Sequence, residues 1–180
     1  MSLARVFIHG LESSSRGTKG VFLRERYPGM IIPDFHGPLQ ERMHKLSGLL
    51  SDHPSLIMVG SSFGGLMAAI YALETPNRVK KLILLAPALT FPDFEPYSHH
   101  RIEIPVTVYH GKKDDVVPAA STYEVARKIF GNLAFNAVDD DHMLSKTFKG
   151  IDWDNLLETK PAPGRASENP LKKRAPAYYL

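Results

Sequence analysis

The apolar run Leu56-Ile57-Met58-Val59 leads straight into Gly60-Ser61-Ser62-Phe63-Gly64, and small, helix-forming residues Gly65-Leu66-Met67-Ala68-Ala69 follow. This strand, turn and helix pattern carries Gly-x-Ser-x-Gly, the local signature of a serine presented on a strained turn. The turn brings neighbouring backbone so close that small residues are needed two positions before and two after the serine. Ser62 meets that need with Gly60 and Gly64, whereas Ser61 would have Val59 and Phe63. Ser62 is therefore the candidate nucleophile.

A serine hydroxyl is a weak nucleophile by itself and needs a base, an acid and a site for the developing oxyanion. Three other segments offer these in the chain order serine, acid, histidine. Ile104 to Gly111 reads as a buried strand ending in His110-Gly111, followed by the adjacent acids Asp114 and Asp115. Leu133 to Val138 reads as a last strand running into Asp139-Asp140-Asp141-His142, whose three acids are expected to be exposed. Near the start, Val6 to Leu11 reads as a strand ending in His9-Gly10, after which a backbone N–H can face an oxyanion.

Together these residues resemble the α/β-hydrolase family, and within it the small lidless esterases and thioesterases, from about Leu3 to about Gly150. The opening Phe7-Ile8-His9-Gly10-Leu11-Glu12-Ser13-Ser14-Ser15-Arg16-Gly17-Thr18-Lys19 resembles the start of the YqiA-like esterase group. The resemblance implies Asp114 as the acid, through His110, Gly111, Asp114, Val117 and Pro118, with Asp115 as its neighbouring rival. It implies His142 as the base, through Asp141-His142, and the amides of Leu11 and Phe63 as the oxyanion hole. It also implies a single-domain α/β-hydrolase fold without a lid domain, and chemistry that needs no cofactor and no metal.

Alternating strand and helix patterns independently predict a mostly parallel, twisted sheet with helices on both faces. Lys19 to Tyr27 reads as a helix, Met30-Ile31-Ile32 as a short strand, and Leu39 to Ser51 as a helix with Leu39, Met43, Leu46, Leu49 and Leu50 on its apolar face. The elbow helix spans about Phe63 to Glu74, a strand follows at Lys80 to Ala86, a helix at Thr122 to Phe130, and a short helix after His142. Between Pro87 and Ile104 the chain is too short for a domain. Its Phe91, Phe94 and Tyr97 either line the mouth of an acyl pocket or cover the sheet, and the sequence favours neither. Ser13 is a further candidate substrate contact on the oxyanion loop. An open site of this kind suits small or one-ended acyl substrates.

Composition limits the alternatives. A chain of 180 residues with 43% hydrophobic content can bury one core. With no cysteine, thiol chemistry and disulfides are excluded. No apolar run is long enough to span a membrane and no signal segment stands out, so the expectation is a cytoplasmic protein. The pI of about 9.1 does not point to nucleic acid. Residues 160–180 carry five Lys/Arg against one Asp/Glu, so with a net charge of +3 the rest of the chain stands at −1. We divide the chain into a hydrolase domain at residues 1–158 and a basic, Pro-rich, loosely ordered tail at 159–180. The partner expected is a small-molecule acyl ester or thioester, with the oligomeric state open. A fold-retaining binding protein, an acyltransferase, and a lactone or C–C bond hydrolase are the alternative functions.

Overall fold

In the computed structural model, residues 3–158 are described, and the tail at 159–180 lies outside them. Five strands form one parallel sheet in the order β1 (Leu3–Ile8), β2 (Ser55–Ser61), β3 (Val79–Leu85), β4 (Ile102–Gly111) and β5 (Phe130–Val138). Five helices join or flank them: α1 (Thr18–Arg26), α2 (Leu39–Leu49), α3 (Phe63–Glu74), α4 (Ala119–Ile129) and α5 (Trp153–Leu157). Each parallel pairing needs a crossover, which is why strands and helices alternate along the chain.

The two-residue period of a strand divides the core in two. Val6 and Ile8, Leu56 and Met58, and Leu82 and Leu84 face α2, α3 and α4. Phe7, Ile57, Val59, Ile83 and Leu85 face the other way, against Leu23 of α1, Phe148, and Trp153 and Leu157 of α5. Because both faces are covered, the strands read as continuous apolar runs rather than alternating ones.

Helix α3 is buried at every position from Phe63 to Leu73, which matches its being apolar all round. One side lies on the sheet, and the short segment after β3 covers another. A 3-10 turn at Pro92–Tyr97 packs on α3, with Phe94 only 1% exposed and Phe91 and Tyr97 half-buried against the same cluster. The Tyr97 hydroxyl donates to Glu74 Oε1 at the end of α3, at 3.0 Å.

Two expectations are corrected here. Met30-Ile31-Ile32 is not a full strand. Ile31 alone bridges Val6, its amide donating to Arg5 O and its carbonyl accepting from Phe7 N–H, and Pro33 ends any further pairing. Leu49 lies off the apolar stripe of α2 and is exposed, while Arg42 lies on that stripe and is buried.

The position of Ile31 also locates the site. From β1 the chain passes outward to Ile31 and then returns across the sheet to β2 on the other side of β1. Such a reversal leaves a crevice at the carboxyl ends of the diverging strands. His9-Gly10-Leu11 lies at the end of β1 and Ser62 at the end of β2.

Candidate active site

Ser62 has φ 53° and ψ −118°, a positive-φ conformation rare for a side-chain-bearing residue. Strain of this kind costs on the order of 1–3 kcal/mol and persists only where surrounding bonds over-determine it. Here the Ser62 amide donates to Leu85 O at 2.9 Å, and its carbonyl accepts from the amides of Gly65, Leu66 and Ala88. The flanking glycines are required by contact rather than by φ. A Cβ on Gly60 would lie 2.4 Å from Gly64 O, and one on Gly64 would lie 2.2 Å from Ile8 O.

The turn carries the Ser62 hydroxyl to within 3.0 Å of His142 Nε2, and His142 Nδ1 lies 2.7 Å from Asp114 Oδ2. The proton positions follow from chemistry. An ionised carboxylate only accepts, so Nδ1 carries the hydrogen, Nε2 is the acceptor, and the serine O–H donates to it.

Asp114 is held from four directions. Its Oδ1 accepts from the amides of Val116 at 3.0 Å and Val117 at 2.8 Å. Its Oδ2 faces His142 Nδ1 and, at 3.0 Å, Nε2 of the fully buried His110. His110 Nε2 also lies 2.8 Å from Val117 O. Both neighbours of that nitrogen are acceptors, so Nε2 donates and Nδ1, which has no partner among the described residues, is bare. Burial lowers the pKa of His110, against the opposing pull of Val117 O and Asp114.

The loop bearing His142 is fastened in a similar way. Asp140 is buried, and its carboxylate accepts from the amides of Asp141, Lys146 and Thr147. Burial alone would raise its pKa, but these N–H groups bring it below the ordinary value. Lys19 of α1 donates to Met143 O at 2.7 Å. Asp140 was expected to be exposed with its neighbours. Instead it forms the internal brace of the turn, while Asp139 pairs with Lys113 at the surface.

Across from the imidazole, the end of β1 approaches Ser62. A Cβ built on Gly10 would lie 3.4 Å from Ser62 Cβ. The amides of Leu11 and Phe63 donate to no acceptor among the described residues. His9 holds this loop from beneath. Its Nε2 accepts from Phe35 N–H at 3.0 Å, so Nδ1 donates to Gly10 O at 2.8 Å. Burial lowers its pKa, partly opposed by Gly10 O and Asp34.

A family model described as the alpha/beta hydrolase fold matches residues 10–99, half of the chain. The chain belongs to the alpha/beta hydrolase family. Among solved structures, it is similar to alpha/beta hydrolase domain-containing protein 10 from mouse. That match has a TM-score of 0.66 at 21% identity and covers 79% of this chain and 83% of that one. Est1E from Butyrivibrio proteoclasticus, in a structure with ferulic acid bound, matches with a TM-score of 0.70 at 16% identity over 83% of this chain and 84% of that one. An alpha-beta serine hydrolase homologue from Coxiella burnetii matches with a TM-score of 0.63 at 15% identity, covering 82% and 80%. At these identities the likeness is one of fold. None of the curated proteins matches.

In this alpha/beta hydrolase the structure brings Ser62, His142 and Asp114 together and sets the Leu11 and Phe63 segments beside Ser62. Asp115, the rival acid, is exposed and bonds to none of them. Ser13 is exposed, its amide donating to Gly10 O at 3.3 Å. The packing of Phe91, Phe94 and Tyr97 against α3 favours the covering role over the pocket role. The exposed apolar residues beside the relay are others: Leu11 at 49%, Val116 at 57% and Met143 at 59%. They lie in the loop after β1 and next to Asp114 and His142, a proximity that sequence order alone could have suggested. Among the described residues no group of three His, Asp or Glu could hold a metal ion, and no helix is long and apolar enough to cross a membrane.

Proposed function

We propose that this protein is a serine hydrolase that cleaves carboxylic esters or thioesters of small or one-ended acyl substrates. Ser62 is the nucleophile, His142 the base and Asp114 the acid. The observation that carries this reading is the unbroken Ser62–His142–Asp114 hydrogen-bond chain, at 3.0 and 2.7 Å, beside the Leu11 and Phe63 segments, whose amides have no acceptor among the described residues. The likeness of the opening segment to YqiA-like esterases supports the same reading.

As Ser62 Oγ bonds to the acyl carbon, its proton passes to His142 Nε2 and the carbonyl π pair moves onto oxygen. The amides of Leu11 and Phe63 receive that oxyanion. Asp114 already holds Nδ1–H, so it stabilises the imidazolium without taking its proton. His142 then protonates the leaving alkoxide or thiolate as the tetrahedral centre collapses to an acyl-enzyme. Water, activated by the same imidazole, releases the acid and restores Ser62. The exposed Leu11, Val116 and Met143 support an apolar acyl or leaving group lying at an open mouth.

Intact-mass analysis after fluorophosphonate treatment tests the assignment. One adduct, on Ser62, is expected, followed by turnover on a short acyl-ester and acyl-CoA panel. An unlabelled protein would leave a fold-retaining binding protein as the better account.

A further inference from the structure

Arg42 stands where α2 should carry an apolar side chain. It shares the buried face of that helix with Leu46, one turn on, and is only 4% exposed. Its Nε donates to Gly37 O at 2.7 Å, Nη2 lies 3.5 Å from Leu11 O, and Nη1 is buried with no partner among the described residues. Among the described residues no carboxylate pairs with it. A guanidinium keeps its charge, and burying that charge without a counterion disfavours folding relative to an apolar residue of similar size.

Its neighbours suggest what the charge is for. The guanidinium carbon lies 5.5 Å from the centroid of the Phe63 ring, and Nη2 faces the Leu11 carbonyl. Phe63 follows Ser62 and Leu11 follows Gly10, which approaches Ser62, and the amides of both have no acceptor among the described residues. Nη1 exposes no surface, so a substrate group does not reach it and the residue acts through its neighbours.

We propose that Arg42 is a positioning residue of the oxyanion site. It holds Leu11 by its carbonyl and Phe63 by its ring, and its uncompensated positive charge favours the negative charge that develops on the substrate oxygen. The inference rests on the serine-hydrolase reading. In the resting state the cation has no anion among the described residues. When the acyl carbonyl becomes an oxyanion, the missing negative charge arrives with the reaction. A fixed cation in a poorly solvated site is already oriented when that happens.

The test compares Arg42→Met and Arg42→Lys with wild type, using p-nitrophenyl acetate kinetics, circular dichroism and two inhibitors. One is an alkylboronic acid, which forms a tetrahedral anion on the serine, and the other a neutral amide of the same acyl group. R42M should lose about 10- to 100-fold in kcat with KM within about threefold, and boronate affinity should fall in parallel while amide affinity holds. R42K, which keeps the charge and loses the planar fork, should recover part of the loss. Unchanged kcat and boronate affinity in R42M would overturn the inference, as would an equal loss of boronate and amide binding. If R42M does not fold, Phe63→Leu removes the ring and leaves the amide. It should weaken boronate more than amide, and equal effects would overturn the inference. Failure of wild type to take a fluorophosphonate would defeat the hydrolase reading itself, whereas a labelled wild type with an unaffected R42M defeats only the role of Arg42.

Discussion

The two sides of Ser62 are built on opposite principles. On the imidazole side, the carboxylates of Asp114 and Asp140 are closely surrounded by donors. All four acceptor positions of Asp114 are occupied, and Asp140 braces the turn that carries His142. On the side proposed to hold the oxyanion, bonding is incomplete among the described residues: the amides of Leu11 and Phe63 donate to nothing and Arg42 Nη1 has no acceptor. A proton relay must have its geometry before substrate arrives, so its groups satisfy one another. An oxyanion site must leave donors free, because its acceptor exists only during the reaction.

Ser62→Ala removes the residue both sides share. Ester hydrolysis should fall by on the order of 10⁵–10⁶ in kcat and fluorophosphonate labelling should vanish, while circular dichroism stays native. Asp114→Asn breaks the imidazole side alone. A loss of about 10⁴ in kcat is expected, since a carboxamide does not enforce the Nδ1–H tautomer, while Asp115→Asn should match wild type. Equal losses in the two variants would remove Asp114 from its role.

His110→Leu takes away one of the four bonds to Asp114. We expect roughly a tenfold fall in kcat, with His110→Gln closer to wild type because its amide can still donate. Met143→Ser alters only the rim, so it should raise KM a few-fold for longer acyl esters and leave acetate esters alone. A uniform effect along a chain-length series would place Met143 outside the substrate's reach.

The smallest effect concerns pH and draws on both sides at once. His9 under the loop after β1 and His110 behind Asp114 both have pKa values lowered by burial. As pH falls through the unfolded value of about 6.5, the unfolded chain binds protons that the folded chain does not. Stability therefore rises with pH in that range and is lost on acidification. Urea midpoints between pH 7.5 and 5 should drop, and His110→Gln should flatten the slope. A wild-type midpoint independent of pH would show that neither imidazole is held neutral.

Much of this was legible in the chain because the signals are local. The elbow is a steric demand written within five residues, and strands buried on both faces announce themselves as apolar runs. Other features depended on what lay across the fold. Phe91, Phe94 and Tyr97 carry no mark in the sequence of whether they line a pocket or cover the sheet, and only the fold shows them packed against α3. Asp140 looked like one acid in an exposed run until the turn wrapped its amides around it. Arg42 was hidden because a helical stripe is read by its apolar members, and a charged residue on it is passed over.

By itself, the sequence determined the order of the elements, the strained turn at Ser62, and which residue types follow each strand end. Local sterics and side-chain periodicity act within a few residues, so no tertiary information was needed. Only the folded molecule decided that Ser62 meets a histidine 80 residues away and that this histidine meets an acid 28 residues before it. It alone decided that the buried Arg42 meets Leu11 O and the Phe63 ring, beside two amides with no acceptor among the described residues. These contacts join segments that share no local signal, and packing on the two faces of the sheet brings them together.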